Sequence, residues 1–263
     1  MRRIALFSDV HGNLPALDAV LADIESSGVT EVYCLGDLVG YGPNPAGVIE
    51  RIRTLGIPTV RGNYDDGIGN RRGECGCYYA TEQAKIDGAA SYAFTDGALD
   101  DFDHEWLAAL PDDIRLEEGD VRVLLAHGSP RKINEYLLLD RKDEQLARLA
   151  DQADADVVCI GHIHIPYHRI LIGGDGRTIH YISSGSVGKP KDGDPRAGWV
   201  EVAFGTEGEV VAATHDQIAA PAGATAVWVA VSVHRVTYDI DAVAQAVIEA
   251  GLPESLASAL RIA

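Results

Sequence analysis

The sequence predicts an α/β fold of two packed mixed β-sheets flanked by helices, with a strand-helix extension at its C-terminal end. Three observations carry this. The first half alternates strand-like and helix-like stretches, the second half is dominated by strands, and no internal repeat or long linker divides the 263 residues. A parallel half joined to a mainly antiparallel half is expected to form one domain of two layers with helices outside.

The elements follow in order. RRIALFSD reads as the first strand, and LPALDAVLADIESSG as a helix with apolar residues at 14, 17, 20, 21 and 24. VYCLGD is a strand, PAGVIERIRTLG a helix and IPTVRGN a third strand. This βαβαβ rhythm predicts parallel strands under crossover helices. Residues 67–77 are Gly-rich and polar, a loop, and 78–110 look helical, with a second helix around DFDHEWLAAL that Pro111 stops. DIRLEE, VRVLLAHG, DVVCIGHIH, PYHRILIG and RTIHYISSG read as strands, interrupted by a polar helix over 140–152. AGWVEVAF, a short GEVVAA and the long alternating VWVAVSVHRVTYDI are further strands. DAVAQAVIEAG and PESLASAL are closing helices. The tail can extend a sheet, cover a cleft or mediate a homodimer.

Bulk properties narrow the function classes. Apolar residues make up 46% and charged residues 24%, ordinary for a globular protein. No apolar run approaches the roughly 20 residues of a membrane span. The N-terminal apolar stretch is too short for a secretory signal, so the expected location is cytoplasmic. A formal charge of −18 argues against long nucleic acids as partners, which need a basic face. A nucleotide substrate stays compatible, because a bound metal can invert the local field. Cys34 and Cys159 sit in apolar runs and read as buried thiols. Cys75 and Cys77, in ECGC, lack the usual Cys-x-x-Cys zinc or redox spacing and read as structural thiols, with a metal or redox role as the alternative. All four are expected to be reduced in the cytoplasm.

The chemistry gathers at strand ends. Asp9 and His11 follow the first strand, Asp37 the second and Asn63 the third. Ligands of open α/β sheets bind beyond the carboxyl ends of strands, so these residues should converge. Asp9 and His11 are two apart and face the same side if the chain is extended. His127 ends VLLAHG, and His162 and His164, again two apart, end VVCIGHIH. Oxygen and imidazole donors suit Mn²⁺, Fe or Zn²⁺, and seven donors are too many for one ion unless two ions share them.

SDVHGN, LGDLVGYGPNP, RGNYDD, AHG and GHIH, in that order, resemble the calcineurin-like metallophosphoesterases, nearest to their small bacterial and archaeal phosphodiesterase branch. The resemblance covers about residues 3–205. It implies a metallophosphoesterase-like β-sandwich over that core, with 206–263 as an extension of the same single domain, 1–263. It implies that Asp9, His11, Asp37 and His164 hold one divalent ion. Asp37, Asn63, His127 and His162 would hold another, with Asp37 bridging. Mn²⁺ is favoured, with Fe, Ni²⁺, Zn²⁺ and Mg²⁺ also compatible. Two such ions roughly 3.5–4 Å apart activate a bridging hydroxide and clamp the phosphate for in-line displacement.

At position 64 the chain departs from the family. The usual pattern has histidine after Gly-Asn; here Tyr64 stands there, followed by Asp65, and these two are the candidate catalytic residues. A phenol has an ordinary pKa of about 10 against about 6.5 for imidazole. It can donate a hydrogen bond but cannot carry an imidazolium's charge. That loss should hurt a dianionic monoester with a poor leaving group most, so Tyr64 points to phosphodiesters. The other reading is that Tyr64 only packs.

Candidate substrate contacts are Asn13, Tyr41, Asn44 and Arg61, each with a structural alternative. Asn13 can cap the helix that follows it, Gly-Pro-Asn-Pro around Asn44 is also simply a turn, and Arg61 can be exposed or structural. His104, His168, His180, His215 and His234 match no motif. Gly185–Lys189 fails as a P-loop because its spacing is wrong and Pro190 follows the lysine. No Gly-x-Ser-x-Gly elbow occurs, and Asp-x-His at the first strand rules out a His-x-His amidohydrolase. The expected activity is dinuclear-metal hydrolysis of small nucleotide-type phosphodiesters. Alternatives are a dinucleoside polyphosphate hydrolase, a broad phosphatase, or a metal-loaded nucleotide-binding regulatory protein.

Overall fold

In the computed structural model, which describes residues 1–213 and 218–262, strand β1 (Arg2–Phe7) leads into α1 (Leu14–Ser27). Asn13 caps that helix, its Oδ1 accepting the Ala16 N–H at 3.2 Å, and Gly28 ends it in a left-handed conformation. The periodic residues Leu17, Val20 and Ile24 bury against the sheet, each worth about 1.5–3 kcal/mol. Strand β2 (Glu31–Cys34), α2 (Pro45–Leu55), the short α3 (Asn63–Gly69), α4 (Glu82–Ala98) and α5 (Asp101–Ala108) complete the first half. Then follow β3 (Asp113–Glu118), β4 (Val121–Ala126), α6 (Asp143–Gln152), β5 (Val157–Ile160), β6 (Pro166–Ile172), β7 (Thr178–Ser184) and β8 (Ala197–Gly205). The tail adds α7 (Glu207–Ala213), β9 (Ala219–Pro221), β10 (Trp228–Val236), α8 (Ile240–Glu249) and α9 (Glu254–Ile262).

Both sheets are mixed and five-stranded. One runs β2-β1-β8-β10-β9, parallel only at β1–β2; the other runs β3-β4-β5-β7-β6, parallel through β4–β5–β7. The division expected from sequence, a parallel first half and an antiparallel second, is corrected. Strand β8, from the far end of the chain, pairs antiparallel onto β1, and β10 pairs onto β8.

Between the sheets lie Ile4, Leu6, Val200, Val202 and Phe204 from one and Val123, Leu125, Val157, Cys159 and Ile182 from the other. The opposite faces are covered too. Ala5, Phe7 and Trp199 meet α1 and α2, and Leu124, Val158 and Tyr181 meet α6. Burial on both faces explains why these strands read as continuous apolar runs.

Two further expectations change. IPTVRGN is not a strand but a single bridge, Cys34 with Thr59, because Pro58 has no N–H to give and the chain enters α3 at Asn63. GEVVAA is helix α7 rather than a strand. Glu209 Oε2 accepts both the Thr206 N–H (2.8 Å) and its hydroxyl (2.9 Å), a side-chain bond back to the helix start that sets the entry. The tail both extends a sheet, through β9 and β10, and packs a helical hairpin, α8–α9, against Tyr41 and Tyr238. His215 lies outside the described residues.

Candidate metal centre

The seven residues come together beyond the carboxyl ends of β1, β2, β4 and β5, with Asn63 opening α3. Their convergence does not come from strand alternation, as expected for the Asp9/His11 and His162/His164 pairs. Asp9, His11, Asp37, His162 and His164 all sit at φ between 49° and 68°. This left-handed region costs a non-glycine residue energy, typically roughly 1–3 kcal/mol, and it clusters at functional sites. The loops hold one another there. Asp9, His11 and Gly12 donate their N–H groups to the carbonyls of Gly36, Asp37 and Leu38 at 2.9–3.0 Å. Glycine is required where these loops touch. A Cβ on Gly62 would lie 2.1 Å from the Asp37 nitrogen, and one on Gly188 1.8 Å from the Val10 oxygen.

Two clusters result, Asp9–His11–His164 and Asp37–His127–His162, the donor atoms within each lying within 4.8 Å of one another. Asn63 Oδ1 stands 3.1 Å from His127 Nε2. Asp37 Oδ2 lies between the clusters, 3.4 Å from His127 Nε2 and 3.7 Å from His11 Nε2. All seven residues are buried.

The donor set fits a pair of cations. Nδ1 of His11, His127 and His164 bonds the carbonyls of Val39 (2.9 Å), Leu35 (2.7 Å) and Lys189 (2.5 Å), so Nε2 carries the lone pair and faces inward. His11 and His164 then point Nε2 at Nε2 across 3.2 Å, an arrangement a cation between them would favour. Asp9 Oδ2 accepts from Ser8 Oγ and the His162 N–H, while its Oδ1 and His162 Nε2 are buried with no hydrogen-bond partner. Unmet buried acceptors are costly unless something satisfies them.

Electrostatics agree. Burial drives His11 and His162 down to about 3. It also lowers His164, helped by the charges of Lys191 and Lys189. All three are thus neutral imidazoles. His127 is the exception: burial would lower it too, but the charge and hydrogen bond of Asp37 outweigh it and hold the ring up to about 9, so a cation at its Nε2 would replace a proton there.

The softer candidates separate. Asp65 does not face the clusters. Its carboxylate accepts the N–H groups of Asp37 (2.8 Å), Leu38 (2.9 Å) and Gly62 (2.9 Å), which makes it a positioning group. Burial, then the charge of Asp37, push it up to about 7 against the Gly62 and Leu38 N–H groups and the charge of His127. Tyr64 is fully enclosed, its ring 5.5 Å from that of His11 and 4.9 Å from that of Tyr41, and burial pushes its phenol well above 10. Asn13 is a helix cap, its Nδ2 also donating to Gly188 O and Tyr238 Oη at 3.3 Å. Asn44 caps α2 through the Gly47 N–H, with its side chain committed there. Arg61 is tied to Ala108 O, Asp112 and Asp66, so its guanidinium is taken. Tyr41 stands at the site, its ring 4.9 Å from that of His11.

Sequence reasoning missed several neighbours. Tyr136 lays its ring 4.1 Å from that of His162. Lys189 holds its ammonium 4.6 Å above the Tyr41 ring, and the Lys191 N–H donates to His164 O. The available signal was Lys-Pro-Lys in a chain with few lysines. Cys75 and Cys77 form a disulfide, which corrects the expectation of four reduced thiols. Asn63 Nδ2 reaches Cys75 O (2.9 Å) and Cys77 Sγ (3.2 Å). His168 and His180 bond each other at 2.9 Å away from the centre. His127 borders a cleft of about 530 Å³, whereas a larger one of about 690 Å³, between α1, α2 and β2, contains none of the seven.

A two-layer α/β sandwich with paired oxygen–imidazole clusters at its strand ends defines a class of metal-dependent phosphate-ester hydrolases. The calcineurin-like phosphoesterase superfamily domain matches residues 1–204, and the chain belongs to that family. It is 33% identical over 208 residues to MJ0912 of Methanocaldococcus jannaschii, covering 74% of this chain and 80% of that one. Over 78 residues, 26% of this chain and 42% of the relative, it is 35% identical to the phosphodiesterase YfcE of Escherichia coli. A metallophosphoesterase from Sphaerobacter thermophilus superposes with a TM-score of 0.69 at 30% identity, covering 99% of this chain and 98% of that one. PH1004 of Pyrococcus horikoshii, at 22% identity and a TM-score of 0.74 over 99% and 98% of the two chains, shares the fold.

Proposed function

We propose that this chain is a phosphodiesterase for small nucleotide-type esters, working with two divalent ions, Mn²⁺ favoured. Asp9, His11, Asp37 and His164 hold one ion, and Asp37, Asn63, His127 and His162 the other. The observation that carries the reading is the pair of clusters with Asp37 Oδ2 between them, 3.4 Å from His127 Nε2 and 3.7 Å from His11 Nε2, and with Asp9 Oδ1 and His162 Nε2 buried without a hydrogen bond. Such ions supply Lewis acidity toward phosphate oxygens and a nucleophile at neutral pH. The chain's own part is preorganisation. Backbone carbonyls fix the three inward imidazoles, and Asp65 fixes the turn that carries Asp37.

The diester preference rests on residue 64. A buried phenol held above its ordinary pKa stays neutral, so it supplies no positive charge to a dianionic phosphate. A monoanionic diester needs that charge less. The reading takes residues 1–263 as one domain and the cytoplasm as its location. Among the described residues no helix is long and apolar enough to cross a membrane.

The test is kcat/KM for an aryl phosphodiester and the matching monoester, on protein stripped with chelator and reloaded with Mn²⁺. Metal-restored activity favouring the diester is expected. A monoester preference would sink the specificity argument, and bound metal without turnover would point instead to a nucleotide-binding regulatory protein.

A further inference from the structure

Among the described residues every arginine except Arg148 has a carboxylate within ion-pair distance. Among the same residues none of the five lysines has one, and of these Lys189 and Lys191 are the two that stand together, two positions apart. In a chain of net charge −18 two unpaired cations side by side are unusual, and these two flank the His164 side of the metal centre. Lys189 is half-buried, its ammonium over the Tyr41 ring and its stem in a crevice with His11, Gly188 and Leu256. Lys191 is exposed beside it. Like charges so placed repel each other unless an anion lies between them.

We infer, resting on the phosphoesterase reading above, that Lys189 and Lys191 form an anion subsite for a second phosphoryl group beside the one being hydrolysed. The substrate class is then a nucleotide ester of pyrophosphate or a longer polyphosphate. Three observations converge on it. Only two of the seven ligand side chains, Asp9 and Asp37, are anionic, so a loaded centre keeps excess positive charge before either lysine is counted. The Lys189 ammonium lies over the ring of Tyr41, and that ring packs against His11, which puts the charge at the edge of the metal centre. And Tyr64 is enclosed, so no side chain at that position protonates a leaving oxygen.

Hydrolysis of such an ester forms a bond from the oxygen of water to the scissile phosphorus and breaks the bond from that phosphorus to the bridging oxygen. The bridging oxygen keeps the electron pair and leaves as a phosphate anion, and the water's protons pass to the products and solvent. A phosphate leaves without protonation by a side chain, and two ammonium groups stabilise the charge it gains.

The test is calorimetric binding of ADP and AMP to the Mn²⁺-loaded protein in excess free Mn²⁺, with metal content measured alongside. Wild type is expected to bind ADP at least about tenfold more tightly than AMP, which is about 1.4 kcal/mol. Lys189→Met and Lys191→Met should each shrink that ratio, and the double variant should bring it near one. Lys189→Arg and Lys191→Arg should keep most of it. Lys191 is exposed, so Lys191→Met folds even if the change at Lys189 does not. Equal binding of ADP and AMP by wild type, or a ratio unmoved by Lys191→Met and the double variant, overturns the inference. Failure of the broader reading shows elsewhere, as wild type that does not cleave an aryl diester with metal bound.

Discussion

Asp65 accepts the backbone N–H of Asp37, and Asp37 in turn accepts the N–H of Tyr64, each at 2.8 Å. The carboxylate between the two clusters is thus clamped at its main chain by one neighbour of the RGNYDD turn and at its side chain by another. The aspartate is the buried brace of the Asp37 turn, and the tyrosine's backbone is its second contact.

Asp65→Asn should therefore loosen the turn. A single amide oxygen cannot replace two carboxylate oxygens that serve three N–H donors, and an unmet buried donor costs about 1–3 kcal/mol. Metal affinity is expected to fall about 10–100-fold, as when other braces of metal ligands are removed. Metal titration and a thermal melt check both, and wild-type affinity in the variant would refute the bracing role.

The two clusters predict separable ions. His127→Ala and His11→Ala should each lower the bound metal from about two per chain to about one, read by elemental analysis after dialysis. Loss of both ions from either single variant would mean that the clusters do not act as separate sites.

Tyr64 distinguishes packing from chemistry. Its hydroxyl is buried without a hydrogen-bond partner, so Tyr64→Phe should alter stability by under about 1 kcal/mol and kcat by less than about threefold. Tyr64→His should raise kcat/KM for the aryl monoester relative to the diester, because an imidazole can carry the missing charge. An unchanged ratio would count against the specificity argument.

Glu135 sets a pH window. The Arg131 guanidinium, and then Ser129 and Arg141, hold its carboxyl down to about 2 despite partial burial. A carboxyl lowered in the fold contributes stability above its unfolded value of about 4.3, and that stability is lost as pH falls through the folded value. Wild type and Glu135→Gln should differ in Tm at pH 6 and converge between about pH 4.5 and pH 2. Parallel curves across that window would show that the bonds to Glu135 add nothing.

Much of the fold and the make-up of the candidate clusters were legible because each rests on local pattern. The helix over Leu14–Ser27 shows in its apolar spacing, and the ligand motifs are short runs at strand ends. What was misread has two causes, a single local residue that overrides composition and partners that lie elsewhere in the chain. IPTVRGN carries a strand's composition, but Pro58 cannot complete a ladder. GEVVAA carries a strand's residues, but Thr206 and Glu209 start a helix. Asp65 and Arg61 sit in a motif, yet their partners, Asp37 and Leu38 for one and Ala108 and Asp112 for the other, come from elsewhere in the chain.

By itself the sequence determined which donors this protein offers and in what order, since residue type and strand-end position are local properties. Only the tertiary structure decided that five of those donors sit in left-handed turns, that Tyr64 is enclosed, and that Lys189 and Lys191 stand unpaired at the centre. Those facts depend on contacts between separate segments, from Asp9 with Gly36 and Tyr64 with His11 to β1 with β8 and His11 with His164. Such contacts form through packing and hydrogen bonds that no window of the sequence contains.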